Sequence, residues 1–303
     1  MRSERKLSES NRDRRSRAYE ALAFVTRGLD ACTSERALAI RRTTSKAHLD
    51  VFALVSNNAT KYHVIWSERL LNNRIGVGLL PHRAAIPESL RAFAGPRSAH
   101  TKPAFLLWVA NLPPRYKNVW HVEDDVLFSG PWGRILHTRD EADILAHSCR
   151  VRPKSWYFSR NGAASDTNGG LCTFDNKPCS AFAEARVDGR FLRIIFWPIV
   201  RMSTLYLSRL TAHLLAHGST TSRGHHEALV AIFCSSMGAN CTMRSLPTHL
   251  IGRFELGGAP GASRIMDVTA PDKVYHPYKC GEAMNLHGSV RMPARTGQKR
   301  GVT

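Results

Sequence analysis

Val119-Trp120-His121-Val122-Glu123-Asp124-Asp125-Val126 is an apolar run that ends abruptly in three acids. The run Asn118 to Val122 has the length and apolar density of a buried strand. Carboxylates at the end of a buried strand are unusual, because a buried charge is costly unless something pairs with it. In open α/β sheets the carboxyl ends of the strands are where ligands bind. Alternation along the strand turns Glu123 and Asp125 to one side and Asp124 to the other. Two carboxylates one residue apart can share a hard divalent cation, which would take diphosphate oxygens and water as its remaining ligands. The competing reading of the same residues is a solvated acidic turn. The Phe128-Ser129-Gly130-Pro131-Trp132 turn that follows favours a site.

Working outward, Asp50 to Asn57 reads as a buried strand ending in turn residues, and Arg74 to Pro81 as a second short one. Lys102 to Asn111 reads as a buried helix with Pro103 in its first turn. Ala142 to Ala146 resembles another strand, and the run from Phe191 is broken by Pro198. Ser203 to His217 has helical spacing through Leu207, Leu210 and Leu214. A helix is expected over residues 18–29, and another over His225 to Ser235, opened by Gly224. Residues 160–180 and 252–273 read as loops, the former long enough to act as a lid. Strands alternating with helices indicate an α/β fold.

The chain has 303 residues and a formal net charge of +19. Residues 1–17 carry seven Arg or Lys against three acids, and residues 291–303 carry four with no acid. The organisation expected is a disordered basic lead-in (1–17), a single catalytic domain (18–285) and a basic flexible tail (286–303). The body remains positive, which suits an anionic partner, whether nucleic acid, acidic membrane or a nucleotide diphosphate.

Seven cysteines include no CxxC pair, which argues against a zinc ribbon. Cys172 and Cys179 share their spacing with Cys234 and Cys241, a spacing that can close local disulfides in an oxidising compartment. Two glycosylation sequons, Asn58-Ala59-Thr60 and Asn240-Cys241-Thr242, lean the same way. The apolar run Ile194 to Val200 falls far short of the roughly 18 residues of a membrane span. The expected location is the Golgi or secretory lumen if a membrane anchor precedes the chain, with membrane association through that anchor, and the cytoplasm otherwise.

The strand and its Glu-Asp-Asp ending resemble the Asp-x-Asp element of GT-A fold glycosyltransferases, and Lys102-Pro103 resembles the helix that precedes it. The resemblance covers about residues 50 to 280. It implies a GT-A-like (Rossmann-like) mixed, mostly parallel sheet flanked by helices. It also implies a nucleoside-diphosphate sugar donor and Mn²⁺ or Mg²⁺ held by the acidic motif, with a glycan, protein or lipid acceptor and no nucleic acid. Val274-Tyr275-His276-Pro277 resembles the strand that returns a histidine to the metal, so the ligand set implied is Glu123, Asp125 and His276. Asp124, with Ser56 and Asn57 after the first strand, would meet the donor's sugar or nucleoside, as would His226. Lys279 would meet the diphosphate. Glu227, at the start of the expected helix, is the candidate general base, or else simply stabilises the first helical turn.

Two other classes compete. A basic nucleic-acid-binding protein would hold phosphates without an acidic pocket. A phosphoryl-transfer enzyme with two metals would need further acids at Asp124 and Asp125, and Asp143, Asp166 and Asp175 are the nearby suppliers.

Overall fold

The computed structural model describes residues 19–44, 49–56, 64–93, 101–138, 140–147, 149–151, 173–174, 177–178, 193–217, 226–254 and 271–276, and the structural statements below concern these. In chain order the elements are β1 (Tyr19–Thr26), α1 (Ala31–Thr43), β2 (Leu49–Ser56), α2 (Val64–Asn72), β3 (Ile75–Leu80), α3 (Glu88–Phe93), α4 (Thr101–Ala110), β4 (Tyr116–Glu123), β5 (Leu127–Phe128) and α5 (Gly133–Leu136). There follow β6 (Ile144–Ala146), β7 (Cys149–Val151), β8 (Thr173–Phe174), β9 (Lys177–Pro178), β10 (Arg193–Ile195), β11 (Ile199–Ser203), α6 (Thr204–His217), α7 (His226–Ser236), β12 (Met243–Ser245), β13 (Ile251–Phe254) and β14 (Val274–His276).

Seven strands form the main sheet in the order β12-β6-β11-β4-β1-β2-β3. β3, β2, β1 and β4 run parallel. β11 is antiparallel to both β4 and β6, and β12 is parallel to β6. The mixed, mostly parallel sheet flanked by helices is therefore present, with β11 as its reversed strand. The chain winds outward through β1, β2 and β3, then returns to place β4 on the other side of β1. The β1–β4 junction is thus a topological switch point, the place where open α/β sheets leave a crevice for ligands.

Alternation on β1 divides the core. Ala21, Ala23 and Val25 face one layer, with Phe93 of α3, Phe105 of α4, Leu207 of α6 and Val230 of α7. Leu22 and Phe24 face the other, with Leu38 and Ile40 of α1, Trp120, Trp132 and Leu136. Both faces of the strand are buried, as expected where helices cover a parallel sheet on two sides.

That burial corrects one expectation. Of the helix expected over residues 18–29, the described residues 19–29 form none; Tyr19–Thr26 is the strand between β2 and β4. Ala and Leu favour helix only weakly, and a run apolar on every side fits a central strand as well as a helix. The helix begins later, where the Asp30 carboxylate accepts from the Thr33 amide at 2.8 Å and the Thr33 hydroxyl accepts from the Asp30 amide at 3.0 Å. A second correction concerns 252–273, whose first residues belong to β13 rather than to a loop; residues 255–270 lie outside the described residues. Of the segment 160–180, only β8 and β9 are described.

Candidate active site

The three acids stand where β4 leaves the sheet. Glu123 closes the strand, its amide donating to the Pro198 carbonyl at 2.9 Å, and Asp124 and Asp125 turn the chain. β5 follows at once and pairs antiparallel with β14, Val274 opposite Phe128 and Tyr275 opposite Leu127. Ser129 reinforces this pairing, its amide donating to the Lys273 carbonyl at 3.0 Å and its hydroxyl accepting from the Lys273 amide at 3.0 Å. Arg134 forms an ion pair with Asp272 beside it. Gly130 allows this close approach, because a Cβ there would meet the Asp272 carboxylate and come within 3.1 Å of the Asp272 Cα. The local consequence is that His276, the last residue of β14, is carried back to the acidic turn.

Glu123, Asp125 and His276 offer one ligand atom each within 4.8 Å of one another. His276 Nε2 lies 3.3 Å from Asp125 Oδ1, and Phe196 meets the imidazole edge-on with ring centroids 5.8 Å apart. Glu123 and Asp125 are partly exposed and His276 is buried, so the cluster opens on one side. Two carboxylates and a neutral imidazole are a donor set suited to Mn²⁺ or Mg²⁺, with positions left for water and substrate oxygens.

Behind Glu123 lies a residue that no sequence motif marks as a binding group. Lys102, buried on α4, donates to Glu123 Oε1. Its Nζ is 3.5 Å from His121 Nε2 and 5.4 Å from the centroid of the Trp197 ring. Burial lowers the lysine's pKa, and the neighbouring Glu123 carboxylate partly restores it. His121 is driven well below the ordinary histidine range by burial and by Lys102, which keeps its imidazole neutral at pH 7. Position 102 next to a proline suggests a helix start; only the packing of α4 against β4 reveals its partner.

Glu227, in the first turn of α7, is buried, and its Oε1 accepts from the Trp197 amide at 3.1 Å. Burial raises its pKa to about 7, against the opposing effects of the Trp197 hydrogen bond and Lys102. Its position is therefore more than a helix-start stabiliser, because the amide it binds belongs to the turn between β10 and β11. His226 packs against Trp197 and Phe93, with ring centroids 5.4 and 6.3 Å away, and is outside the three-residue cluster. Gly224 and His225 lie outside the described residues, and α7 is described from His226.

Asp124 faces the switch point. Its Oδ2 accepts from the Thr26 hydroxyl at 2.8 Å and from the Arg27 amide at 3.3 Å, and its carbonyl accepts from Arg36. Burial raises its pKa, partly offset by the Thr26 hydrogen bond. Ser56 ends β2, two strands from β4. Asn57 and Lys279 lie outside the described residues.

Asp143 is elsewhere. It stands before β6 at the opposite end of the sheet, where it accepts from the Ser203 hydroxyl at 2.9 Å and the Thr242 amide at 3.1 Å. Asp166 and Asp175 lie outside the described residues. Among the described residues the candidate metal cluster has three members.

No known protein family matches the chain, and no curated protein matches it. Among solved structures, the chain is similar to mouse xyloside xylosyltransferase 1 in its apo form, at 12% identity over 85% of this chain and 97% of that one, with a TM-score of 0.46. It is similar to the galactosyltransferase LgtC in complex with donor and acceptor sugar analogs, at 11% identity over 86% and 87%, with a TM-score of 0.47. It is also similar to core-mannan synthase A from Aspergillus fumigatus in its Mn/GDP form, at 12% identity over 76% and 73%, with a TM-score of 0.40.

Proposed function

We propose that the chain is a metal-dependent glycosyltransferase that moves a sugar from a nucleoside-diphosphate donor to an acceptor hydroxyl. The observation that carries this reading is the convergence of Glu123, Asp125 and His276 at the carboxyl end of β4, beside the β1–β4 switch point.

In this reading Glu123, Asp125 and His276 hold Mn²⁺ or Mg²⁺. Bound there, the cation would supply positive charge for a departing diphosphate. Lys102 fixes the Glu123 side chain through its buried ammonium. Glu227 is anchored by the Trp197 amide and receives the proton of the acceptor hydroxyl. A carboxyl whose pKa lies near 7 is suited to that transfer at neutral pH. Asp124 and Ser56, at the ends of β4 and β2, are the proposed contacts of the donor's sugar and nucleoside, and Asn57 is proposed to share that role. His226 and Lys279 complete the donor side.

Thermal unfolding with UDP or GDP, in the presence and absence of Mn²⁺, tests this directly. Stabilisation that requires both nucleotide and metal is expected, because a ligand bound only by the folded state raises its stability. No shift with any nucleoside diphosphate, together with salt-sensitive binding to DNA, would overturn it.

A further inference from the structure

We propose that Asn240 is an N-glycosylation site and that the chain does its work in an oxidising, lumenal compartment. The inference does not depend on the reaction proposed above. It joins three observations from one short segment.

The first is exposure. Asn240 and Thr242, the two residues that define the sequon Asn240-Cys241-Thr242, are both exposed. They lie where Gly238–Asn240 forms a single 3-10 turn between α7 and β12. Gly238 holds φ at 59°, a conformation that suits glycine and sets the tight reversal. An acceptor asparagine has to stand clear of the surface, and a turn between a helix and an edge strand provides that.

The second is redox state. Cys234 and Cys241 form a disulfide across this turn, with Cα atoms 5.3 Å apart, so the residue in the middle of the sequon is itself oxidised. Cys32 is disulfide-bonded as well. Stable disulfides belong to secreted, lumenal or periplasmic proteins. The compartment that oxidises these cysteines is, in eukaryotic cells, also the one that glycosylates asparagine.

The third is position. Met243 of β12 pairs with Ile144 of β6, which pairs with Met202 of β11, which pairs with Val119 of β4. Asn240 therefore sits at the end of the sheet away from Glu123, and a glycan there leaves the candidate active site open. β12 is the edge strand, and Arg244 and Ser245 on it are exposed. A glycan at the preceding turn would shield that edge from pairing with another chain.

The chemistry requires a lipid-diphosphate-linked oligosaccharide as co-reactant, delivered by the cell's oligosaccharyl transferase. A bond forms between Asn240 Nδ2 and the anomeric carbon of the first sugar. The bond from that carbon to the phosphate oxygen breaks, the lipid diphosphate leaves with the electron pair, and the amide gives up one proton to solvent.

The test is peptide mapping of the full chain from two sources, with enzymatic glycan removal in heavy-oxygen water to mark each modified asparagine. One source is the protein isolated from the cells that make it. The other is the full chain secreted behind an added leader from cultured eukaryotic cells. Asn240 marked in both, with the Cys234–Cys241 disulfide closed in the same preparations, is the expected result. Asn240 unmarked in the secreted, disulfide-closed chain overturns the site. Asn240 marked there but unmarked in the native protein overturns the compartment. Asn240→Gln should remove the mark and leave the melting temperature unchanged, because the side chain it replaces is exposed.

Discussion

The buried ammonium of Lys102 donates to Oε1 of Glu123 across 21 residues of sequence, joining helix α4 to the end of strand β4. Glu123 is a member of the three-residue cluster, so one of its oxygens already faces a cation that belongs to the protein. Lys102→Met should therefore have two opposed effects. Loss of the pair destabilises the folded chain by roughly 2 kcal/mol, less than for a fully buried pair because the Glu123 side chain is 28% exposed. Removal of the ammonium also removes its repulsion of an incoming divalent cation, about 4 kcal/mol per pair of unit charges at 4 Å near a protein surface. The first effect lowers the metal-free protein and leaves the increment from Mn²⁺ to the second, so Mn²⁺ should raise the melting temperature of Lys102→Met by more than that of the wild type. An equal or smaller increment would show that the ammonium and the cation do not share Glu123.

Asp125→Asn keeps the shape of the side chain and removes its charge. A metal ligand replaced in this way should weaken Mn²⁺ binding at least about tenfold, judging from the effect of lesser changes around metal sites. The apo protein should change by under about 1 kcal/mol, because Asp125 is partly exposed. Titration calorimetry with Mn²⁺ decides it. Unchanged affinity would place the metal somewhere other than the acidic turn.

Glu227 gives a pH signature. Its pKa rises from 4.5 in the unfolded chain to about 7 in the fold, with burial the main cause. The stability that comes from keeping it protonated is full below pH 4.5 and is lost as pH rises through 7. Each pH unit of that displacement is worth about 1.4 kcal/mol. Glu227→Gln should therefore be the more stable protein at pH 8, by up to about 3 kcal/mol, and equal to the wild type near pH 4. Its amide oxygen can still accept from Trp197. Denaturant unfolding across this range measures the difference, and parallel curves would mean that Glu227 titrates normally. If Glu227 takes up the acceptor proton, turnover should rise through pH 7 in the wild type and lose that limb in the variant.

Arg201 provides a control at the other end of the sheet. It is 3% exposed, lies 3.9 Å from Glu20 and donates to the carbonyls of Thr138 and Ala142 at 3.4 and 3.3 Å. Arg201→Met leaves the Glu20 carboxylate, 21% exposed, without its cation and should cost about 2–3 kcal/mol, less than for a fully buried pair. The increment produced by Mn²⁺ should nevertheless match the wild type, since distant sites add independently. Coupling above about 0.5 kcal/mol would show that the two ends of the sheet communicate.

What could be read beforehand differed from residue to residue. β2, β3 and β4 were visible as dense apolar runs with turn residues at their ends, and the acids after Val122 stood out because they break such a run. Tyr19 to Phe24 of β1 reads as a helix because it is rich in Ala and Leu, and an all-round apolar segment has no period to distinguish helix from strand. His276 was found through resemblance alone, since nothing around it in sequence points to Asp125; β5 pairing with β14 is what joins them. Lys102 reads from sequence as part of a helix start, with nothing beside it to mark a partner of Glu123. A lysine whose importance lies in where a helix packs leaves no periodic trace. Glu227 was picked out from its helix-start position, but its pKa depends on burial that only the packed α7 supplies.

The return of β14 to β5 has a consequence for how the chain is assembled. Asp125 stands near the middle of the sequence and His276 near its end, so a cation held by both would tie a loop of about 150 residues, as a non-covalent crosslink. With β14 undocked, two carboxylates would remain and the grip on the ion would be weaker. Occupancy and docking are then linked equilibria: each favours the other by the same free energy. In the proposed enzyme the metal would act as a proofreader of synthesis, held firmly only once β14 has been made and seated.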